Sequence, residues 1–206
     1  MSDGDQRLFS LIDRWADTDL DDSAEVERQI RAEFEQTCAI LVIDTKGFSR
    51  SVHRDGVLSF LARISHMRQA CVPHIERHGG TFVKFVADDI VAVFDRPDAA
   101  LAAGLEMVDP SFGDDPDHSF ADFELSIGIG FGPVFHVPRT DLWGDQMNRA
   151  FKLGEDIANG GELLITDEAW DALDDPPSGA RRQSYCVSGL DLIAHVLTSD
   201  TVRTRR

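Results

Sequence analysis

Apolar side chains recur at helical spacing over residues 7–16, at Leu8, Leu11, Ile12 and Trp15, and again over 23–36, at Val26, Ile30 and Phe34. Two helices are expected there, joined by the Asp-rich segment DTDLDD, whose end caps the second. The pattern then changes. CAILVID, at 38–44, is a continuous apolar run rich in branched residues, which suits a buried central strand ending at Asp44. After a turn at Lys46–Gly47, helical spacing returns over 56–78 with Val57, Leu61, Ile64, Met67 and Ile75, and Pro73 is expected to bend or interrupt that helix.

Gly79–Gly80 closes the helix, and TFVKFVADDIVAVF reads as two strands joined by a tight turn at Ala87–Asp88–Asp89. A helix over 97–108, an acidic loop over 109–122, a strand at FELSIGIGFG and a short hairpin lead into DLWGDQMNRAFKLGEDIA, helical from about Gln146. A strand ELLIT, a helix DEAWDAL, a Pro-containing loop and two strands near 182–187 and 191–198 follow. The core order β-α-β-β-α-β predicts an α+β ferredoxin-like sandwich with additional C-terminal strands, preceded by helices. We expect a helical extension over 1–36, one catalytic-sized domain over 37–198 and a flexible tail over 199–206.

Composition narrows the possible chemistry. A chain of 206 residues, 42% apolar and 28% charged, is long enough for one well-filled core and too apolar for general disorder. Its net charge of −17, with no Lys or Arg between Asp109 and Glu124, argues against nucleic acid as a partner. A nucleotide remains compatible if metal ions bridge it to acidic side chains. The first residues carry no leader-like pattern and no apolar run approaches bilayer length, so a cytoplasmic protein without a membrane partner is expected. Cys38, Cys71 and Cys186 lack close pairs and read as reduced thiols. The seven histidines are taken to lack metal-ligand spacing, and DDPDHSFADFE lacks the glycine and final glutamate of a calcium loop.

Two carboxylates carry the candidate chemistry. Asp44 ends a buried strand and Asp88 sits at a hairpin tip, so pairing of those strands brings both to one rim. Two hard cations held ~4 Å apart by shared carboxylates can activate a hydroxyl and stabilise the leaving oxygens of an in-line displacement. On spacing alone, two solvated turn aspartates are the plainer alternative.

Five segments in order add to that reading. VIDTKGFS at 42–49 resembles the D-x-x-G-F-T/S segment of the class III adenylate and guanylate cyclases, and KFVADDIVAVF at 84–94 resembles their K-x-x-G-D-x-x-x-A-x-F. LSIGIGFGPV at 125–134, DLWGDQMNRAFKL at 141–153 and GELLITDEAW resemble the family's following strand, catalytic helix and next strand and helix. The resemblance runs from about residue 38 to 197. It implies a nucleotidyl cyclase making a 3′,5′-cyclic monophosphate and pyrophosphate at a homodimer interface, with two Mg²⁺ or Mn²⁺ ions per site on Asp44, Asp88 and the carbonyl of Thr45. It also implies that Lys84 and Asp141 recognise the base, as suits adenine and favours ATP, with GTP or a pyrimidine triphosphate as alternatives, and that Asn148 orients the ribose. Lys152 stands where the family has an arginine meeting transition-state charge, and Lys46, Gly47 and Phe48 are expected to meet the substrate.

Departures from the family pattern define the alternatives. Ala87 replaces a glycine, which is tolerable if the turn needs no positive φ. Ser188 stands for a triphosphate-binding lysine and Ser126 for a common arginine, so the phosphate clamp reads as reduced. A cyclase-like dimer that has lost turnover and acts as a nucleotide sensor or interaction module is the main rival. A diguanylate cyclase shares the core, but its G-G-D/E-E-F signature is absent from VADDIVAVF.

Overall fold

The apolar run from Cys38 forms the middle of the sheet. In the computed structural model, which describes residues 2–46, 53, 56–113, 124–187 and 189–203, β1 (Glu35–Lys46) lies antiparallel to two neighbours, β3 (Asp89–Phe94) and β4 (Glu124–Val137). Residues 38–45 are buried throughout, as a strand covered on both faces must be. With β2 (Thr81–Val86), β5 (Asp141–Trp143), β6 (Glu162–Thr166), β7 (Arg181–Val187) and β8 (Leu190–Thr198), the eight strands run β2-β3-β1-β4-β6-β8-β7, and β5 pairs with β4. The order β2-β3-β1-β4 is that of the ferredoxin-like core. The added strands enter through β6, which is parallel to β4.

Alternation along β1 divides the interior into two layers. Ala39, Leu41 and Ile43 face α3 (Val57–Arg77) and α4 (Pro97–Met107), where Ile64, Met67, Cys71, Ile75, Ala100 and Ala103 complete the larger core. Cys38, Ile40 and Val42 face the opposite layer, closed by Met147 and Ala150 of α5 (Asp145–Phe151). α3 is continuous through Pro73, so the expected interruption does not occur. The early helices α1 (Asp3–Asp17) and α2 (Leu20–Phe34) bury Leu8, Leu11, Val26, Ile30 and Phe34 against Val137, with Phe135 and Trp143 alongside. A one-turn helix α6 (Asp167–Asp171) follows β6, and Ser199–Arg203 forms a short helix α7. No described helix is long and apolar enough to cross a membrane.

Candidate active site

The β2–β3 hairpin turns in two residues, Ala87 and Asp88, since Val86 already pairs with Asp89. The three-residue turn read from sequence is therefore shorter, and Asp89 is the first residue of β3. Ala87 has φ +52°, so the turn does require a positive φ. A positive φ at the first of two central residues is the type II′ arrangement, whose usual occupant there is glycine. Arg68 of α3 anchors the tip: it donates to the Ala87 carbonyl and its guanidinium lies 4.0 Å over the Phe85 ring.

The acidic rim forms as the strand pairing dictates. Asp44 and Asp89 are each 7% exposed, and one oxygen from each of Asp44, Asp88 and Asp89 lies within 4.8 Å of the others. Thr45 Oγ1 donates to Asp88 Oδ2 at 2.6 Å and so fixes the tip carboxylate against β1. Sequence reasoning missed Asp89. Its signal was the register: Ile43 pairs with Ile90, and the next step places Asp89 opposite Asp44. Burial, then repulsion from Asp44, Asp88 and Glu155, pushes the Asp89 carboxyl up to about 8. A bound cation relieves that repulsion, so the donor set fits a hard divalent metal.

Lys46 supplies a cation from the chain itself. Its Nζ lies 2.7 Å from Asp44 Oδ2, 2.6 Å from the Glu155 carbonyl and 3.2 Å from the Gly154 carbonyl. Those carbonyls are presented by a π-helix at Lys152–Ile157, which continues α5. The helix approaches the strands closely because two glycines meet: a Cβ on Gly128 would lie 2.0 Å from the Ala150 carbonyl oxygen, and one on Gly154 would lie 3.2 Å from that of Val42. Ser126 Oγ donates to the Gly154 carbonyl at 3.0 Å. Gly47, Phe48 and Ser188 lie outside the described residues.

Lys84 and Asp141 form the second group. A bulge in β2 between Phe82 and Lys84 re-aims the lysine, whose Nζ lies 2.5 Å from Asp141 Oδ1 at the start of β5. Each satisfies the other, and both are about three-quarters buried. Asn148 and Lys152 form the third group, four apart on α5 and its continuation, with the Lys152 amide bonded to the Asn148 carbonyl in helical register. Lys152 Nζ bonds Asp156 Oδ2 at 2.6 Å, which raises the lysine pKa. Among the described residues, no hydrogen bond or ion pair joins the acidic rim to either of the other groups. A cavity of about 770 Å³ lies elsewhere, between α4 and α7, and none of the candidate catalytic residues lines it.

No family profile matches the chain. It is 28% identical over 131 residues to a Rhizobium meliloti protein named "Putative adenylate cyclase 3", a match covering 63% of this chain and 22% of that protein. The chain thus spans about a fifth of the length of that curated relative. Among solved structures it is similar to an adenylate/guanylate cyclase/hydrolase from Silicibacter pomeroyi, with a TM-score of 0.65, 25% identity and coverage of 80% of this chain and 97% of that one. It is also similar to the guanylyl cyclase Cya2, with a TM-score of 0.66, 18% identity and coverage of 79% and 91%. The strand order, the rim carboxylates and these likenesses agree: the chain carries the catalytic-domain fold of the class III adenylate and guanylate cyclases.

Proposed function

We propose that the chain is a nucleotidyl cyclase that converts a nucleoside triphosphate, ATP in preference, to its 3′,5′-cyclic monophosphate and pyrophosphate. The observation that carries this is the convergence of Asp44, Asp88 and Asp89 on one rim. Mg²⁺ or Mn²⁺ held there would supply Lewis-acid activation of the ribose 3′-hydroxyl and neutralise charge on the phosphates. The 3′-hydroxyl gives up its proton to water, and its oxygen bonds to the α-phosphorus as the α–β bridging oxygen leaves with pyrophosphate.

The chain's other groups bind and orient. Lys84 Nζ donates to the adenine N1 and Asp141 accepts from the N6 amino group, the base replacing the bond these two make to each other. Asn148 orients the ribose, and Lys152 meets charge on the α-phosphate after leaving Asp156. Because no hydrogen bond or ion pair among the described residues joins the rim carboxylates to the other two groups, we propose that a twofold partner brings the base, ribose and phosphate residues to each rim. Val57, Leu58 and Leu61 on α3 are 57, 79 and 53% exposed, and Phe85 and Val86 are also exposed beside the hairpin tip, an apolar surface that such a dimer would cover.

The test is incubation of purified protein with each nucleoside triphosphate and Mn²⁺, followed by mass detection of cyclic products and pyrophosphate. ATP is expected to give the most product, and Asp44→Asn or Asp88→Asn to abolish it while the protein stays folded. Undiminished turnover by either variant sinks the metal-site assignment, and better turnover of GTP sinks the base assignment. A second reading, a nucleotide sensor without turnover, draws support from the pairing of Lys46 with Asp44 and of Lys152 with Asp156. ATP binding in Mn²⁺ without pyrophosphate release distinguishes it.

A further inference from the structure

The histidines do contain a ligand spacing. His74 lies in the last turn of α3 and His78 is its C-cap, four residues on, with the His78 amide bonded to the His74 carbonyl. Their rings lie 4.7 Å apart, centre to centre, on one face of the helix. Glu106 reaches across from α4, its Oε2 3.6 Å from His74 Nε2 and 3.4 Å from His78 Nε2. Ligands about 2.1 Å from a tetrahedral ion lie about 3.4 Å from one another, so these separations match the edges of such a site.

We propose that His74, His78 and Glu106 bind a divalent transition metal of the Zn²⁺ class, with a fourth position open to solvent. His74 is 3% exposed and its buried Nε2 has no hydrogen-bond partner among the described residues. A buried imidazole nitrogen left in that way is costly unless something comes to it. Phe112 packs edge-on against the ring at 5.0 Å and shields that side. Loading needs the proton on Nδ1. The exposed Arg77 guanidinium, 2.6 Å from Nδ1, therefore moves off, which leaves the Nδ1–H free to take an outer-shell partner. Two imidazoles and one carboxylate suit Zn²⁺, Co²⁺ or Ni²⁺ and not the hard ions that an all-carboxylate rim takes.

The site is separate from the acidic rim. His78 precedes β2 and Asp88 follows it, so six residues of strand, ~20 Å, lie between them. A metal there cross-links α3 to α4, the two helices on the larger core, and stabilises their packing whether or not the rim is catalytic.

The experiment is calorimetric titration of the metal-stripped full chain with Zn²⁺ in excess Mg²⁺, which loads carboxylates and leaves imidazoles free. The expected result is one Zn²⁺ per chain, a Zn²⁺-dependent rise in Tm, and, with Co²⁺, the intense visible bands of four-coordinate geometry. His78→Ala should weaken binding at least about a hundredfold, since loss of an outer-shell partner alone costs 10–100-fold, and Glu106→Gln should weaken it in the same direction. His78 is partly exposed, so its variant folds; an unchanged metal-free circular dichroism spectrum checks this. Wild-type protein that binds no Zn²⁺ under these conditions, or His78→Ala that binds it as tightly, overturns the proposal.

Discussion

Ala87 holds a conformation that its Cβ resists. An L residue in the left-handed region costs about 1–2 kcal/mol, while glycine gives back about 0.5–1 kcal/mol through the freedom of the unfolded chain. The difference favours Ala87→Gly by about 0.5–1 kcal/mol, or about 1–4 °C in Tm for a domain of this size. A lower Tm for this variant would mean that Arg68, bonded to the Ala87 carbonyl and stacked on Phe85, has offset the strain. The same turn shows where single residues are hard to read from sequence. Alanine gives no hint of a positive φ, and Asp89, counted with the turn, is instead a strand residue buried beside Asp44. Asp44 and Asp88 were legible because their places depend on which strands pair, and the apolar runs determine that.

At the scale of elements, continuous apolar runs and helical spacing located the core strands and α3 to within a few residues. The π-helix was not legible, because its register depends on a contact between segments far apart in the chain. Gly128 and Gly154 let the helix sit on β1 and β4, and this turns the Gly154 and Glu155 carbonyls to Lys46. Lys46 therefore sits on Asp44. Gly128→Ala tests the seam. Its Cβ would meet backbone, the Ala150 carbonyl at 2.0 Å and the Gly154 amide at 2.6 Å, so the helix itself has to move. We expect a loss of about 3 kcal/mol, equivalent to about 6–12 °C in Tm. Gly104→Ala is the control, because its Cβ clashes with a side-chain tip, Leu163 Cδ1 at 2.5 Å, and not with backbone, Ile127 lying at ordinary contact distance. Equal effects of the two substitutions in thermal melts would argue against a rigid seam. The His74–His78 pair is a different kind of miss, since the four-residue spacing was present in the sequence and only the facing Glu106 required the fold.

At the scale of the molecule, the proposed division of each site between two chains has a consequence that stability measurements do not reach. Two chains of net charge −17 repel, and salt screens that repulsion beyond about 8–10 Å, so assembly has to rest on short-range apolar contact such as Val57, Leu58 and Leu61 offer. If the rim of one chain works with Asn148 and Lys152 of the other, a variant lacking the rim and a variant lacking the helix residues are each inactive yet complementary. We therefore expect Asp44→Asn and the double variant Asn148→Ala, Lys152→Ala each to make little cyclic nucleotide alone. Mixed in equal amounts and allowed to exchange, half the dimers are mixed, and each of these has one site built from two intact halves. Activity should then return to about a quarter of wild type per chain, as twofold symmetry requires. The readout is product formed against mixing ratio, with a maximum at equal proportions and with each variant checked as a dimer by sedimentation. No recovery under conditions where labelled subunits demonstrably exchange would place all the catalytic groups of a site on one chain.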